Sequence, residues 1–251
     1  MLSKNKIKFI NSLKKKKNRT SEKLFIAEGE KIVHELIRSD FKIHSIYSTE
    51  DFILKYHLKE DKKVFQITQS ELKKISALQT PNQVLALVKF PEKRLNLENI
   101  KEETTLALSD INDPGNLGTI IRIADWFGIK NIICSENTAD IYNPKSIQAS
   151  MGSIGRVNIF YRNLYGFLKV IREKTDLTIY GTTLSGKNIY KTRLNKKSII
   201  VLGSESHGIS QDIITCLSEQ IYIPKFSREA TIDSLNVSVA AGIICSEIKK
   251  G

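Results

Sequence analysis

The chain has 251 residues, of which 41% are hydrophobic and 26% charged, the balance of a soluble globular protein with room for two ordinary domains. That balance excludes collagen-like, mucin-like and disordered classes, and the longest uncharged apolar stretch, around Val237 to Cys245, is far short of the roughly 18 residues of a membrane-spanning helix. The net charge of +12 is concentrated at the front, where residues 1–90 carry 19 Lys and Arg against 10 Asp and Glu, compared with 20 against 17 in the rest.

The opening residues Met-Leu-Ser-Lys-Asn-Lys-Ile-Lys lack the apolar run and cleavage site of a secretory signal, so a cytoplasmic location is expected. In that compartment the Asn18-Arg-Thr and Asn236-Val-Ser sequons carry no glycan. Cys134, Cys216 and Cys245 show neither Cys-x-x-Cys spacing nor neighbouring histidines, which argues against zinc and disulfides and for small buried side chains.

Ile7, Ile10 and Leu13 recur at helical spacing, so a short basic helix opens the chain. Around it Lys4, Lys6, Lys8, the run Lys14, Lys15, Lys16 and Lys17, then Arg19 and Lys23 face a single acid, Glu22. A lone Lys run is compatible with a solvated tail or with a polyanion-binding arm. The asymmetry of the whole chain favours the second, because each phosphate neutralised by Lys or Arg releases counterions whatever the base sequence. Lys14–Lys17 and Arg19 are therefore the candidate residues for a nucleic acid, RNA or DNA.

Strand and helix patterns then alternate: strands at 24–27, 43–47, 64–67 and 84–88, helices at 30–38, 51–58 and 70–78. Residues 1–90 read as a small α/β domain, and the polar, non-periodic segment 91–104 as a linker. From 105 to 251 the strands become apolar on both faces, at 106–108, 132–134, 157–160, 177–180, 199–202 and 221–223, with helices between them. That pattern predicts a mainly parallel, doubly wound sheet, which binds ligands at the carboxyl ends of its strands.

Three strand-end loops concentrate the polar chemistry. Asp110-Ile-Asn-Asp-Pro-Gly-Asn-Leu-Gly precedes a helix with Asn116 as a plausible N-cap, and Arg122 follows on the face of Gly118 and Thr119. Spacing alone allows Arg122 to be either an ion-pair partner of Asp125, three positions on, or a functional cation. Gly203-Ser-Glu-Ser-His-Gly-Ile-Ser resembles a phosphate-cradling loop, but Ile209 replaces the lysine that such a loop needs, so a triphosphatase is not expected. A lone loop histidine such as His207 is more often a bystander than a base. Residues 234–248 read as a buried helix, with Leu235, Val239 and Ile243 on one face, Ser234 at the N-cap and Asn236 in need of partners. No Gly-x-Gly-x-x-Gly follows any strand, which argues against a nicotinamide site.

Taken in order, Asp-Pro-Gly-Asn-Leu-Gly-Thr-Ile-Ile-Arg, Gly-Ser-Glu-Ser-His-Gly and Ile-Pro…Ser-Leu-Asn-Val-Ser-Val-Ala-Ala-Gly resemble the three motifs of the SpoU/TrmH branch of the SPOUT RNA methyltransferases. The likeness covers residues 105–250, and the first domain resembles the ribosomal-protein-like substrate-binding domain fused to that branch. The resemblance implies S-adenosylmethionine-dependent methylation of a ribose 2′-hydroxyl in structured RNA, by a homodimer with a deep trefoil knot; from the residues themselves, neither a membrane nor a metal is expected. Ribosomal RNA is the expected substrate; transfer RNA, or a non-catalytic role in ribosome assembly, are the alternatives. Carried over residue by residue, Asn116 and Arg122 match the first motif's catalytic pair, Glu205 the acid of the second, and Ser234 and Asn236 the polar pair of the third. Thr182, Leu184, Gly203, Ile223 and Leu235 would hold the cofactor. Asn116 and Glu205 are expected to fix the Arg122 guanidinium. The loop at 225–233 is longer than the motif leads one to expect, which bears on the adenine side.

Overall fold

Burial decides where the strands form. Leu24–Glu28 (β1) is buried along its whole length, and so are Val84 to Val88 of β4 (Val84–Lys89). A computed structural model describes residues 1–227, 229 and 234–250, in two units: Met1–Glu92 with Asp140–Gly155, and Lys93–Ala139 with Arg156–Gly251.

In the first unit α1 (Lys4–Ser12) starts at Ser3, whose hydroxyl accepts the Lys6 N–H. It is followed by α2 (Lys16–Glu22), α3 (Glu30–Ile37), β2 (Ile43–Ser48), α4 (Glu50–Lys55), β3 (Val64–Gln66) and α5 (Gln69–Ile75). The sheet runs β1-β4-β2-β3, antiparallel except for the parallel β2–β3 pair. Thr68 and Glu71 close a capping box on α5, a local signal that needs no tertiary support.

Arg19 departs from its expected role. It is 2% exposed, with Nη2 donating to Asp140 Oδ2 at 2.6 Å and Nη1 donating to the carbonyls of Leu13 and Lys14 at 2.9 and 2.8 Å. The guanidinium is spent inside the protein, where it ties down the turn between α1 and α2, and Lys15, Lys16 and Lys17 stay exposed around it. Lys14 is also exposed and donates to the Ser76 carbonyl at 2.7 Å. Arg19→Ala would strand Asp140 and two carbonyls; it is expected to destabilise the chain by about 2–4 kcal/mol in urea unfolding.

Residues Asp140–Gly155 join this unit although they leave from one strand of the second unit and return to the next. Their helix α8 (Pro144–Ser150) packs on β1, and the Tyr142 ring stacks on both Phe25 and Phe90 with centroids at 4.8 and 4.0 Å. Offset aromatic contacts of this kind add about 0.5–1.5 kcal/mol each to the burial.

The second unit holds α6 (Leu97–Glu102), β5 (Thr105–Leu108), α7 (Pro114–Trp126), β6 (Asn131–Ser135), β7 (Asn158–Arg162), α9 (Leu164–Lys174), β8 (Thr178–Asn188), β9 (Ser198–Leu202), α10 (Gln211–Ile214), β10 (Glu219–Tyr222) and α11 (Val237–Lys250). Helix α6 lies in the stretch that reads as structureless, because one buried residue, Ile100, and an Asn96 cap suffice to form it. The sheet order is β10-β8-β9-β5-β6-β7 and every pair is parallel, as the doubly apolar strands predict. β8 runs to Asn188, well past the apolar core of the strand, because β10 pairs along its outer edge across a register shift.

Two helices differ in detail from their sequence reading. α7 is capped by Asp113, not Asn116: the Asp113 carboxylate accepts the Asn116 N–H at 2.8 Å and Pro114 opens the first turn. α11 buries Val237, Ala241, Ile244, Cys245 and Ile248, whereas the Leu235 and Val239 face is 41% and 51% exposed. All three cysteines are buried, and desolvation pushes the Cys245 thiol up to about 12.

Candidate functional site

The motif residues converge through hydrogen bonds that sequence separation hides. Asn116, freed from capping at the third position of α7, donates from Nδ2 to Glu205 Oε1 at 3.2 Å. Asn236 donates to the same oxygen at 2.7 Å and also lies 3.0 Å from Asn116 Oδ1. The Val237 N–H reaches Glu205 Oε1 as well, at 3.2 Å. One carboxylate oxygen thus holds the starts of two helices together.

Asn236 does the capping expected of Ser234. Its Oδ1 accepts from the N–H groups of Ser238 and Val239 at 3.0 and 3.3 Å and from the Ser238 hydroxyl at 2.6 Å. It is exposed rather than buried, so its partners come from neighbouring loops and not from a core. Asn236→Asp keeps the cap but sets a second carboxylate beside Glu205. We expect about a tenfold or greater loss of turnover, because the hydrogen bond to Glu205 becomes a repulsion between like charges; a variant with the turnover of the unaltered protein would contradict the network.

Arg122 is exposed and, among the described residues, makes no hydrogen bond or ion pair. Asp125 does not hold it, since the Asp125 carboxylate pairs with Arg156 at 2.7 Å. Glu205 and Asn116 do not fix it either, because they bond to each other and to Asn236. The side chain is left as a free cation one and a half turns beyond Asn116 on α7.

Beside the trio lies a cavity of about 920 Å³. Thr182, Leu184, Gly203, Ile223 and Leu235 all line it, with Glu205 and Ser234. Glu205 therefore joins the cavity wall to the hydrogen-bonded trio, while Asn116, Asn236 and Arg122 stand outside the wall. The floor is the end of β9, where the next loop folds back on itself through paired bonds between Ser204 and Gly208 at 3.0 and 2.9 Å. Gly208 has φ +67, and a Cβ on Gly203 would lie 2.3 Å from the Gly208 carbonyl carbon. Only glycine fits there, so backbone can line the cavity closely. His207 is exposed, and its Nδ1 pairs with the neighbouring Ser206 hydroxyl at 2.8 Å.

Sequence reasoning missed two contributors. Phe226, 82% exposed, lines the cavity from the loop after β10, and the Val237 N–H supplies a backbone donor that no side-chain pattern announces. Of the long loop at 225–233, residues 228 and 230–233 lie outside the described residues. Among the described residues no cluster of His, Cys, Asp or Glu is arranged to hold a metal, and no helix is long and apolar enough to cross a membrane.

The geometry suits a mid-sized, part-polar ligand bound against backbone. Comparison with known proteins agrees. Residues 103–246 match the SpoU rRNA Methylase family, and residues 4–86 match the MRM3-like substrate binding domain. The Bacillus subtilis 23S rRNA (guanosine(2553)-2′-O)-methyltransferase RlmP is 26% identical over 97% of this chain and 96% of its own length. A TrmH-family structure from Porphyromonas gingivalis is 34% identical with a TM-score of 0.90, covering 100% of this chain and 99% of that one. An AdoMet-bound rRNA methyltransferase from Sinorhizobium meliloti is 26% identical with a TM-score of 0.85, covering 100% of this chain and 96% of that one. A cavity walled by backbone, the polar trio beside it and these likenesses lead to one conclusion: the chain belongs to the SpoU rRNA methylase family and is an S-adenosylmethionine-dependent RNA methyltransferase.

Proposed function

We propose that the chain methylates a ribose 2′-hydroxyl of ribosomal RNA, as a homodimer in the cytoplasm. The observation that carries this reading is the junction at Glu205, which belongs both to the cavity wall and to the Asn116–Asn236 network. The cavity fits S-adenosylmethionine: its volume is within the roughly 300–1,000 Å³ of ligand sites, and the missing side chain at Gly203 leaves room for close backbone contact. When bound, the cofactor supplies an electrophilic methyl group on a sulfonium.

The chain's own residues do the rest. Thr182, Leu184, Gly203, Ile223 and Leu235 hold and bury the cofactor. Glu205 fixes the two asparagines, so that the polar edge of the cavity is preorganised. Ser234, on the cavity wall, stands as a hydrogen-bonding group towards the acceptor ribose. Arg122 steadies the negative charge that develops on the ribose oxygen. A guanidinium carries donors and no acceptor lone pair, so Arg122 acts as an electrostatic partner and not as the base, and the hydroxyl proton passes to solvent water. The exposed lysines at 14–17 contact phosphates, whereas Arg19 supports their turn.

The dimer would cover exposed apolar side chains on α7 and α11. Trp126 at the end of α7 is 85% exposed and Val239 on α11 is 51% exposed, and burial of both against a second copy would remove apolar surface from water. The deep trefoil knot belongs to the same proposal; the strand order, with β9 between β8 and β5, is compatible with it.

The test is transfer of radiolabelled methyl from S-adenosylmethionine to unmodified 23S rRNA transcript, with the modified nucleotide mapped by resistance to alkaline cleavage. Saturable incorporation at one ribose is expected. Tight cofactor binding without transfer to ribosomal or transfer RNA would sink the proposal and leave an RNA-binding assembly protein.

A further inference from the structure

A second cavity, of about 530 Å³, lies wholly within the first unit, beside the carboxyl end of β4 and the first residues of β2. Phe41, Ile43 and Ile46 give it an apolar floor. Lys42, Lys63 and Lys89 stand on its rim, all exposed, and among the described residues none of the three makes an ion pair or a side-chain hydrogen bond. Elsewhere in the chain exposed lysines do find acids, as Lys55 does with Glu30 and Lys130 with Glu103. Three unpaired ammonium groups around an apolar hollow form a built imbalance of charge.

Two further side chains lie between floor and rim. His44 lines the cavity, and its Nδ1 lies 3.1 Å from the Ser45 hydroxyl. Desolvation, together with the nearby charges of Lys6 and Lys89, holds its imidazole below the ordinary histidine pKa, so at neutral pH the ring is an uncharged, stackable plane. Asp61 is the single acid in the wall, and its Oδ1 accepts the Lys63 N–H at 2.8 Å, which leaves Oδ2 to accept from a ligand.

We propose that this cavity binds one unstacked nucleotide of the substrate RNA, with the base on the apolar floor beside His44 and the flanking phosphates on Lys42, Lys63 and Lys89. The charge pattern selects this occupant. An apolar peptide has no use for three free cations, and a bare phosphate has none for the floor. An unpaired nucleotide in a loop or bulge offers a π-face and two flanking phosphates at once. A single acceptor in the wall, Asp61, suits a base that presents an N–H edge. The proposal rests on the reading of the chain as an RNA methyltransferase, and it adds a specificity subsite remote in sequence from the three motifs.

The experiment uses the full chain and an in vitro 23S rRNA transcript, with dissociation constants measured from 50 to 300 mM salt. The double variant K63A/K89A is expected to weaken binding at least fivefold and to lower the salt slope by about 1.5, from roughly 0.7–0.9 for each phosphate that is no longer neutralised. His44→Ala is expected to weaken binding about fivefold or more with the slope unchanged, as loss of one stacked base does. Free mononucleotides at millimolar concentration should not restore the difference, since the flanking phosphates belong to the chain of the RNA. S-adenosylmethionine affinity, read by calorimetry, should be the same in all three proteins and reports that each is folded. Unchanged RNA affinity in both variants would overturn the subsite, and so would a His44→Ala loss that appears only as a change in salt slope. Failure of the unaltered protein to transfer methyl while these binding differences persist would sink the methylation reading and spare the subsite.

Discussion

Arg122→Ala is expected to lower the rate of methyl transfer by about 10²–10³-fold while leaving the S-adenosylmethionine dissociation constant within about twofold. The separation follows from placement. Arg122 does not line the cavity, and among the described residues no side chain holds it, so its removal neither opens the cofactor site nor orphans a carboxylate. What is lost is positive charge where the ribose oxygen becomes anionic, an effect that enters kcat and not cofactor affinity. Arg122→Lys should recover part of the rate, because it restores charge but not the planar fork. Single-turnover kinetics with 23S rRNA transcript, beside calorimetry of cofactor binding, make the comparison. A normal rate in Arg122→Ala would remove this residue from the mechanism.

Gly203→Ala is expected to act on the other half of the site. The added methyl would lie 2.3 Å from the Gly208 carbonyl carbon and 2.5 Å from both the Gly208 oxygen and the Ile209 nitrogen. These are backbone atoms of a loop closed by two hydrogen bonds, so they cannot swing aside as a side chain would. The loop must open, and it carries Glu205. We expect cofactor affinity to fall about 10–100-fold, the Asn116–Asn236 network to loosen with it, and stability to drop by about 1–3 kcal/mol, the usual cost of overpacking. Calorimetric titration with S-adenosylmethionine and urea unfolding measure the two effects. An alanine variant that binds the cofactor normally would show that the loop backbone is not the wall of its site.

Much of this was legible in the residues. The central strands β5, β6 and β9 of the second unit are buried on both faces, and such a pattern implies a parallel sheet under helices with its loops at one end. The three polar loops announced themselves because Asn, Glu, Gly and Ser at strand ends have no packing reason to be there. Local rules failed where two residues compete for one task. Asp113 and Asn116 both suit a cap, as do Ser234 and Asn236; which one caps depended on where Glu205 arrives. On α11 an i, i+4, i+8 pattern exists on both the Leu235 face and the Val237 face, and periodicity cannot say which of two apolar stripes is buried.

The sequence by itself determined the alternation of elements, the parallel sheet, the basic front of the chain and the identity of the motif residues, because each of these is written in short-range pattern and composition. Only the tertiary structure decided that Arg19 is buried against Asp140, that residues Asp140–Gly155 pack with the first unit, and that Glu205 joins two asparagines while Arg122 is left unpaired. Those pairings span from about thirty to more than one hundred and twenty residues of chain. Charge and hydrogen-bonding capacity are properties of a residue, but which partner satisfies them is a property of the fold.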